Sequence, residues 1–309
     1  MIGSDKKFYL SKYKLEPFLF ALGFCTVFQV IHYIPLPGIM SSCVCNKNFM
    51  DVAELVIMLR IQVGKTALSF GLVVVDMQNG FVSKGGSYDK LGMNIEAFRK
   101  IIPRMRILIA FCRNEDIPIF YTEAVRERSG IDLLTNIHMI LPRTREERLK
   151  APITVRGTWD SRIIDEIKPG RNDHVIIKRR DSAFQDTELR VWLQSVGINT
   201  LIFCGIDTSI CVETSLRDGF NLGYDVILIS NATASGVKKH YETTLERVRD
   251  YYGIVTSING FEKIIKLLKQ IEGGTTDYND MSDARVSRFL EKHNLIDLRR
   301  VKQSRVSRN

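Results

Sequence analysis

The sequence predicts a three-layer α/β fold with a doubly wound, mostly parallel, six-stranded sheet. Short apolar runs of strand length alternate with amphipathic stretches of helical length through the middle of the chain. This alternation is typical of βαβ units, whose right-handed crossovers cover both faces of a parallel sheet with helices. Polar residues also follow three of the apolar runs, at the edge where open α/β sheets bind their ligands.

Six apolar runs are predicted to form the strands. The first, Phe70–Val75, is continuous and ends at Asp76, as expected of a strand that is buried on both faces. The remaining strands are expected at residues 117–121, 174–177, 200–204, 225–229 and 254–256.

The stretches between these runs are predicted to be helices. Pro103 suits the first turn of a helix, and the period of 3.6 then places Met105, Leu108, Ile109 and Cys112 on its apolar face. Further helices are expected at residues 187–193, 211–222, 238–251 and 260–271.

The chain is predicted to comprise an N-terminal extension (1–66), a central domain (67–271) and a basic C-terminal helix or tail (272–309). The extension contains lysines followed by an apolar run at residues 18–34, which is near the lower length limit of a membrane span. We consider three interpretations of the extension. It could be a membrane anchor or signal sequence. It could instead result from a translation start wrongly placed upstream of Met58, or be a poorly ordered extension. The third interpretation is a packed accessory helix. Any membrane contact would be made through residues 18–34. The C-terminal segment is interpreted as a solvated tail or as a docking helix for a partner subunit.

Composition is that of a folded soluble protein, with 45% hydrophobic and 26% charged residues. The net charge of +9 is spread over all three segments without a dense basic patch, which argues against nucleic acid as a partner. The spacing of the six cysteines fits neither paired zinc knuckles nor a small disulfide scaffold. We therefore expect a reducing compartment and a cytoplasmic protein, with a membrane-anchored form only if the N-terminal segment is real.

Three residues at strand ends suggest nucleophilic chemistry. Asp76 follows the first strand, Lys178 ends the run HVIIK, and Cys211 lies just beyond LIFCG. A helix N-terminus and the Lys178 ammonium are expected to lower the pKa of the Cys211 thiol. Asp76 could accept the thiol proton and later pass it to a leaving amine. Each residue taken alone also has an ordinary explanation, namely packing, capping or surface exposure.

The segments that carry these residues resemble a known family, the isochorismatase-like cysteine hydrolases. They read VVVDMQNGF, KRRDSAF and GIDTSICVETSLRDGFNLGYDVILISNATAS, and the resemblance covers roughly residues 68–270. The ureidoacrylate and N-carbamoylsarcosine amidohydrolase branch is most similar, because DMQNGFVSKGGSYDKLGMNI and GTWDSRIIDEI also follow its pattern.

The resemblance implies a catalytic triad of Asp76, Lys178 and Cys211. It also implies a cis peptide between Ile206 and Asp207, with an oxyanion hole formed by the N–H groups of Asp207 and Cys211. Many relatives have a small residue at the position of Asp207, so its side chain is expected to turn away from the oxyanion and bond locally.

The same resemblance suggests residues that bind the substrate. Arg180 could pair with a substrate carboxylate, and Asn79 could bind a substrate carbonyl or the lysine. Trp159, Ser182 and Phe184 lie in segments that border the pocket in relatives, although packing would equally explain the two aromatic residues.

The expected function is hydrolysis of a small linear C–N bond, in an amide, ureide or carbamoyl group, through a thioester. A ureidoacrylate-like substrate is favoured, and neither a cofactor nor a metal is expected. The five histidines lack the Asp-x-His spacing of the nicotinamidase metal site. The alternatives are a nicotinamidase-like or other amidase of this family, and a non-catalytic, membrane-tethered interaction protein. The resemblance also implies a homo-oligomer.

Overall fold

The computed structural model describes residues 68–149 and 152–272. The predicted N-terminal extension, with its apolar run at 18–34, lies outside the described residues. So does the predicted C-terminal segment beyond residue 272. The division of the chain into three segments therefore stays a prediction. Among the described residues, no helix combines the length and the apolar character needed to cross a membrane.

The predicted sheet is confirmed, with six strands in the order β3-β2-β1-β4-β5-β6. Every neighbouring pair of strands is parallel. The strands are β1 (Phe70–Val75), β2 (Ile119–Ala124), β3 (His174–Lys178), β4 (Thr200–Ile206), β5 (Asp225–Ala234) and β6 (Ile254–Thr256). Because the strand order reverses beside β1, the carboxyl ends of β1 and β4 flank a topological switch point.

Helices connect these strands. They are α1 (Asn79–Val82), α2 (Ser87–Lys90), α3 (Glu96–Arg99), α4 (Ile102–Asn114), α5 (Arg143–Arg148), α6 (Leu189–Ser195), α7 (Glu213–Asn221), α8 (Lys238–Tyr251) and α9 (Ile258–Glu272). A π-helical turn, Thr208–Val212, precedes α7. The predicted helix at Pro103 is α4, and its four predicted apolar residues are all buried.

Alternate side chains of the strands pack into two cores, one on each face of the sheet. Leu72 and Val74 of β1 pack in one core, with apolar residues of α4 and α9. Val73 and Val75 pack in the other, with residues of α6 and α7. Apolar side chains are thus buried on both faces, which explains why β1 is a continuous apolar run.

Strand β5 is longer than predicted and ends at Ala234. Its register against β4 shifts between Phe203 and Gly205, where the chain leaves the regular ladder. Beyond the shift, the Thr233 hydroxyl donates to Gly205 O at 2.8 Å and also contacts the Thr208 hydroxyl at 2.8 Å. The extension was missed because polar residues, rather than an apolar run, form these contacts next to the π-helical turn.

Gly205 of β4 packs against the backbone of β1, and we predict that it tolerates no side chain. Its φ is +104°, and an added Cβ would lie 2.2 Å from Val75 O. Gly223 provides a matched control, because its φ is +94° but no heavy atom lies within 4 Å of an added Cβ. In urea unfolding, Gly205→Ala should cost at least about 2 kcal/mol more than Gly223→Ala, because backbone overlap adds to the strain. Equal losses would contradict this account of the β1–β4 contact.

Candidate active site

The predicted residues at the strand ends come together at the switch point. Asp76 follows β1 directly and Lys178 ends β3, so the lysine reaches across the intervening strand β2 to the aspartate. The Lys178 Nζ atom lies 2.7 Å from Asp76 Oδ2, and the two side chains are 0% and 3% exposed. Cys211, in the π-helical turn after β4, lines the same cavity as this ion pair.

Three groups hold the Lys178 ammonium. Nζ donates to Arg180 O and Asp181 O at 3.0 Å each and forms the ion pair with Asp76 Oδ2. Burial lowers the pKa of Lys178, but the Asp76 carboxylate and the other anionic groups raise it more, so the net shift is upward. The lysine is therefore a fixed cation at neutral pH.

The Asp76 carboxylate is held from a second side by β2. The Thr122 hydroxyl donates to Asp76 Oδ1 at 2.6 Å, and Asp76 N donates to the same hydroxyl oxygen at 3.1 Å. Residues from three adjacent strands thus fix the position and the rotamer of the carboxylate. Asp76 supplies the carboxylate of the predicted triad, and it lines the same cavity as the Cys211 thiol.

The expected lowering of the pKa of Cys211 is wrong. Burial raises the pKa of the thiol above its ordinary value; Lys178 opposes this rise, whereas Asp76 adds to it through its charge and a hydrogen bond. The prediction considered the helix terminus and the lysine but not the loss of hydration, which is the largest effect here. At neutral pH the thiol keeps its proton, so attack on a carbonyl requires a base.

The peptide bond between Ile206 and Asp207 is cis. As expected, the Asp207 side chain bonds locally. Its Oδ1 accepts from Ser209 N at 2.9 Å, from the Ser209 hydroxyl at 2.8 Å and from the Ser235 hydroxyl, and its Oδ2 accepts from Gly236 N at 3.2 Å. These donors occupy the carboxylate while Asp207 and Cys211 both line the cavity. The oxyanion role of their N–H groups stays a prediction.

A cavity of about 310 Å³ lies over these residues. This volume is at the small end of ligand sites and suits a small molecule. The wall is partly apolar, with Phe81, Tyr88 and Phe98 near α1–α3 and Leu133, Leu134 and Leu149 in the long connection between β2 and β3. It also carries five arginines: Arg126, Arg128, Arg145, Arg148 and Arg180.

Of the five predicted substrate-binding residues, only Arg180 lines the cavity. The Asn79 amide instead donates to Trp159 O at 3.1 Å and Arg162 O at 3.2 Å, and so fixes a loop. The Trp159 side chain is 48% exposed on the surface.

Ser182 and Phe184 are also outside the cavity wall, because the chain after β3 is fixed against α7. Ala183 N donates to the Ser215 hydroxyl at 2.8 Å, and the Phe184 ring stacks on Tyr224 with ring centroids 6.0 Å apart. The Ser182 hydroxyl accepts from Phe184 N at 3.1 Å. The structure thus gives these two residues packing and turn-forming contacts rather than a place in the pocket.

Several cavity residues were not found from the sequence. Tyr88 lies in α2, and Arg126, Arg145 and Arg148 lie in the connection between β2 and β3. The sequence around them did not indicate a binding site, because charged runs such as RTREER are also typical of solvent-exposed helix faces. Within residues 68–149 and 152–272, no group of three His, Cys, Asp or Glu side chains is placed to hold a metal ion.

Comparison with known proteins identifies a family and several relatives. The isochorismatase domain family matches residues 70–260. The ureidoacrylate amidohydrolase RutB of Pantoea ananatis is 32% identical over 207 residues, which cover 64% of this chain and 83% of that protein. RutB of Pseudomonas savastanoi pv. phaseolicola is 31% identical over 211 residues, covering 66% and 84%.

Solved structures share the fold. A cysteine hydrolase from Pseudomonas syringae pv. phaseolicola has a TM-score of 0.57 at 24% identity, covering 66% of this chain and 95% of that one. An isochorismatase family protein from Desulfovibrio vulgaris has a TM-score of 0.56 at 22% identity, covering 65% and 100%.

The raised pKa of Cys211 predicts slow alkylation at neutral pH. With iodoacetamide, followed by mass spectrometry of the Cys211 peptide, the folded protein should react more slowly than a free thiol at pH 7.5. The rate should keep rising above pH 9, because only the thiolate reacts. In urea the same peptide should regain the profile of an ordinary thiol. Rapid alkylation of the folded protein at pH 6–7 would contradict the raised pKa.

The buried ion pair predicts a non-additive effect on stability. Asp76→Asn or Lys178→Met alone should lower the free energy of unfolding by about 3–5 kcal/mol, because either leaves a buried partner uncompensated. The double variant should lose less than the sum of the two losses. Urea unfolding of all four proteins measures this, and additive losses would show that the pair is not coupled.

Proposed function

The chain belongs to the isochorismatase family, and we propose that it hydrolyses a C–N bond of a small linear amide, ureide or carbamoyl compound with Cys211 as nucleophile. A ureidoacrylate-like substrate is favoured, because RutB relatives about 30% identical are named ureidoacrylate amidohydrolases. The observation that carries the proposal is the Asp76–Lys178 ion pair, with its 2.7 Å contact, in the wall of the cavity that holds the thiol.

In the first half-reaction, Asp76 takes the proton of the Cys211 thiol as sulfur bonds to the substrate carbonyl carbon. The carbonyl electrons move to oxygen, and the oxyanion accepts hydrogen bonds from the N–H groups of Asp207 and Cys211. Asp76 then returns the proton to the departing nitrogen, the C–N bond breaks, and a thioester remains.

In the second half-reaction, Asp76 takes a proton from water as the water oxygen attacks the thioester. The C–S bond breaks, sulfur recovers the proton from Asp76, and the acid product leaves. No step requires a cofactor. The raised pKa of the Cys211 thiol means that attack requires a base, and it favours return of the proton to sulfur when the C–S bond breaks.

Lys178 is assigned a positioning role. Its two carbonyl acceptors, its ion pair with Asp76 and its raised pKa keep it charged, so it holds Asp76 in place without exchanging a proton.

The proposed function predicts ammonia release that depends on Cys211. Ureido acids, carbamoyl amino acids, primary amides and nicotinamide should be compared, with a ureido or carbamoyl compound expected to react fastest. Cys211→Ala should abolish release, and Asp76→Asn should lower kcat by roughly 10²- to 10⁴-fold, the usual contribution of general acid–base catalysis. Cys112→Ala is the matched control, because Cys112 is buried in α4 and does not line the cavity.

Three outcomes would contradict the proposal. Activity retained in Cys211→Ala would exclude the thiol as the nucleophile. Nicotinamide as the fastest substrate would favour the nicotinamidase-like alternative. Silence across the panel would favour the non-catalytic interaction protein. The homo-oligomer and the cytoplasmic location stay predictions.

A further inference from the structure

The arginines of the cavity wall are not equivalent, because most of them already have partners. Arg145 forms a bidentate pair with the Asp181 carboxylate, with N–O distances of 3.1 and 2.5 Å. Arg180 Nη1 donates to Asp132 O and Arg179 O at 3.1 and 3.0 Å. Arg126 donates to the same Arg179 carbonyl. These three guanidinium groups hold the β2–β3 connection in place.

Arg128 forms no hydrogen bond or ion pair with the described residues, but it is exposed to solvent, whereas Arg148, the last residue of α5, is half-buried. Its Nε atom is buried, yet among the described residues it finds no hydrogen-bond acceptor. No carboxylate of the described residues lies within ion-pair distance of it, and its guanidinium instead lies over the Tyr88 ring, 5.3 Å from the centroid. A buried N–H donor without an acceptor is costly, and because the rest of this half-buried side chain lines the cavity, an anion that enters can supply the missing acceptor.

Tyr88 connects this cation with the reacting groups. Burial raises the pKa of its hydroxyl to about 12; Arg148 lowers that pKa, while Cys211 and Asp76 raise it. The phenol is therefore within electrostatic range of the guanidinium and of the catalytic pair alike. It stays neutral at physiological pH, so it does not neutralise the charge of Arg148.

Building on the proposed function, we propose that the substrate is a short carboxylic acid whose carboxylate binds the Arg148 guanidinium while its ureido or carbamoyl carbon lies at Cys211. A planar guanidinium matches a carboxylate through two parallel hydrogen bonds. The small cavity limits the distance between the two ends of such a molecule. Arg148 thereby replaces Arg180 as the carboxylate ligand, since Arg180 Nη1 is already engaged by two backbone carbonyls.

Binding to the inert Cys211→Ala protein tests this without turnover. Calorimetry compares 3-ureidopropionate with its methyl ester, which keeps the ureido group but removes the negative charge. The acid should bind at least about tenfold more tightly than the ester. Arg148→Met should weaken binding of the acid by about 10- to 100-fold and change that of the ester by less than about threefold. Methionine retains an apolar stem over Tyr88, and circular dichroism verifies the fold.

Arg143→Met is the matched control. Arg143 lies in the same helix, but its side chain is 90% exposed and pairs with Glu147, so this change should leave binding of both compounds unaltered. Any of three results would overturn the proposal. The pocket that retains Arg148 could bind acid and ester equally, the acid could fail to bind, or Arg148→Met could keep the full preference for the acid over the ester.

Turnover separates this inference from the proposed function. If the acid preference depends on Arg148 but the wild-type protein releases no ammonia, the carboxylate site stands and the hydrolase proposal fails. If ammonia is released and Arg148→Met leaves the preference for the acid intact, the hydrolase proposal stands and the carboxylate site fails.

Discussion

Removing an ammonium and a carboxylate from water costs several kcal/mol per ion unless the two compensate each other. Lys178 and Asp76 are both almost fully buried and lie 2.7 Å apart. The charge of each therefore compensates the lost hydration of the other. Their remaining hydrogen-bonding capacity is directed to Thr122 and to two backbone carbonyls after β3. This network spans β1, β2 and β3, which means that the register of the sheet itself sets the geometry of the candidate site.

The same buried network explains the protonation state of the Cys211 thiol. A thiol beside a lysine is commonly expected to ionise, yet this lysine already faces a carboxylate that cancels much of its charge. Burial then dominates, and the pKa of Cys211 rises. In the proposed mechanism, a protonated thiol requires the Asp76 carboxylate as its base, and sulfur becomes nucleophilic only as it attacks a bound carbonyl. Such a resting site is also less exposed to oxidation and alkylation, which require the thiolate.

The sequence predicted what depends on local pattern. Continuous apolar runs such as β1 identify strands, and parallel strands bring their carboxyl ends to one edge, so the meeting of Asp76 and Lys178 followed from topology. What depends on packing between distant segments was not predictable in this way. The end of β5 beyond the register shift is held by the Thr233 hydroxyl, which contacts Gly205 of β4 and Thr208 of the π-helical turn. The pocket wall comes largely from a long connection without apolar periodicity. Phe184 was assigned to the pocket by position, whereas its ring packs on Tyr224.

The direct test of a thioester route is to catch the acylated cysteine. Wild-type protein in excess over a ureido acid is quenched in acid during a single turnover, and the mass of the Cys211 peptide is followed with time. The account predicts that this peptide gains the mass of the acyl or carbamoyl group and loses it as product forms, with no gain in Cys211→Ala. Complete turnover while the Cys211 peptide stays unmodified at every time point would contradict it.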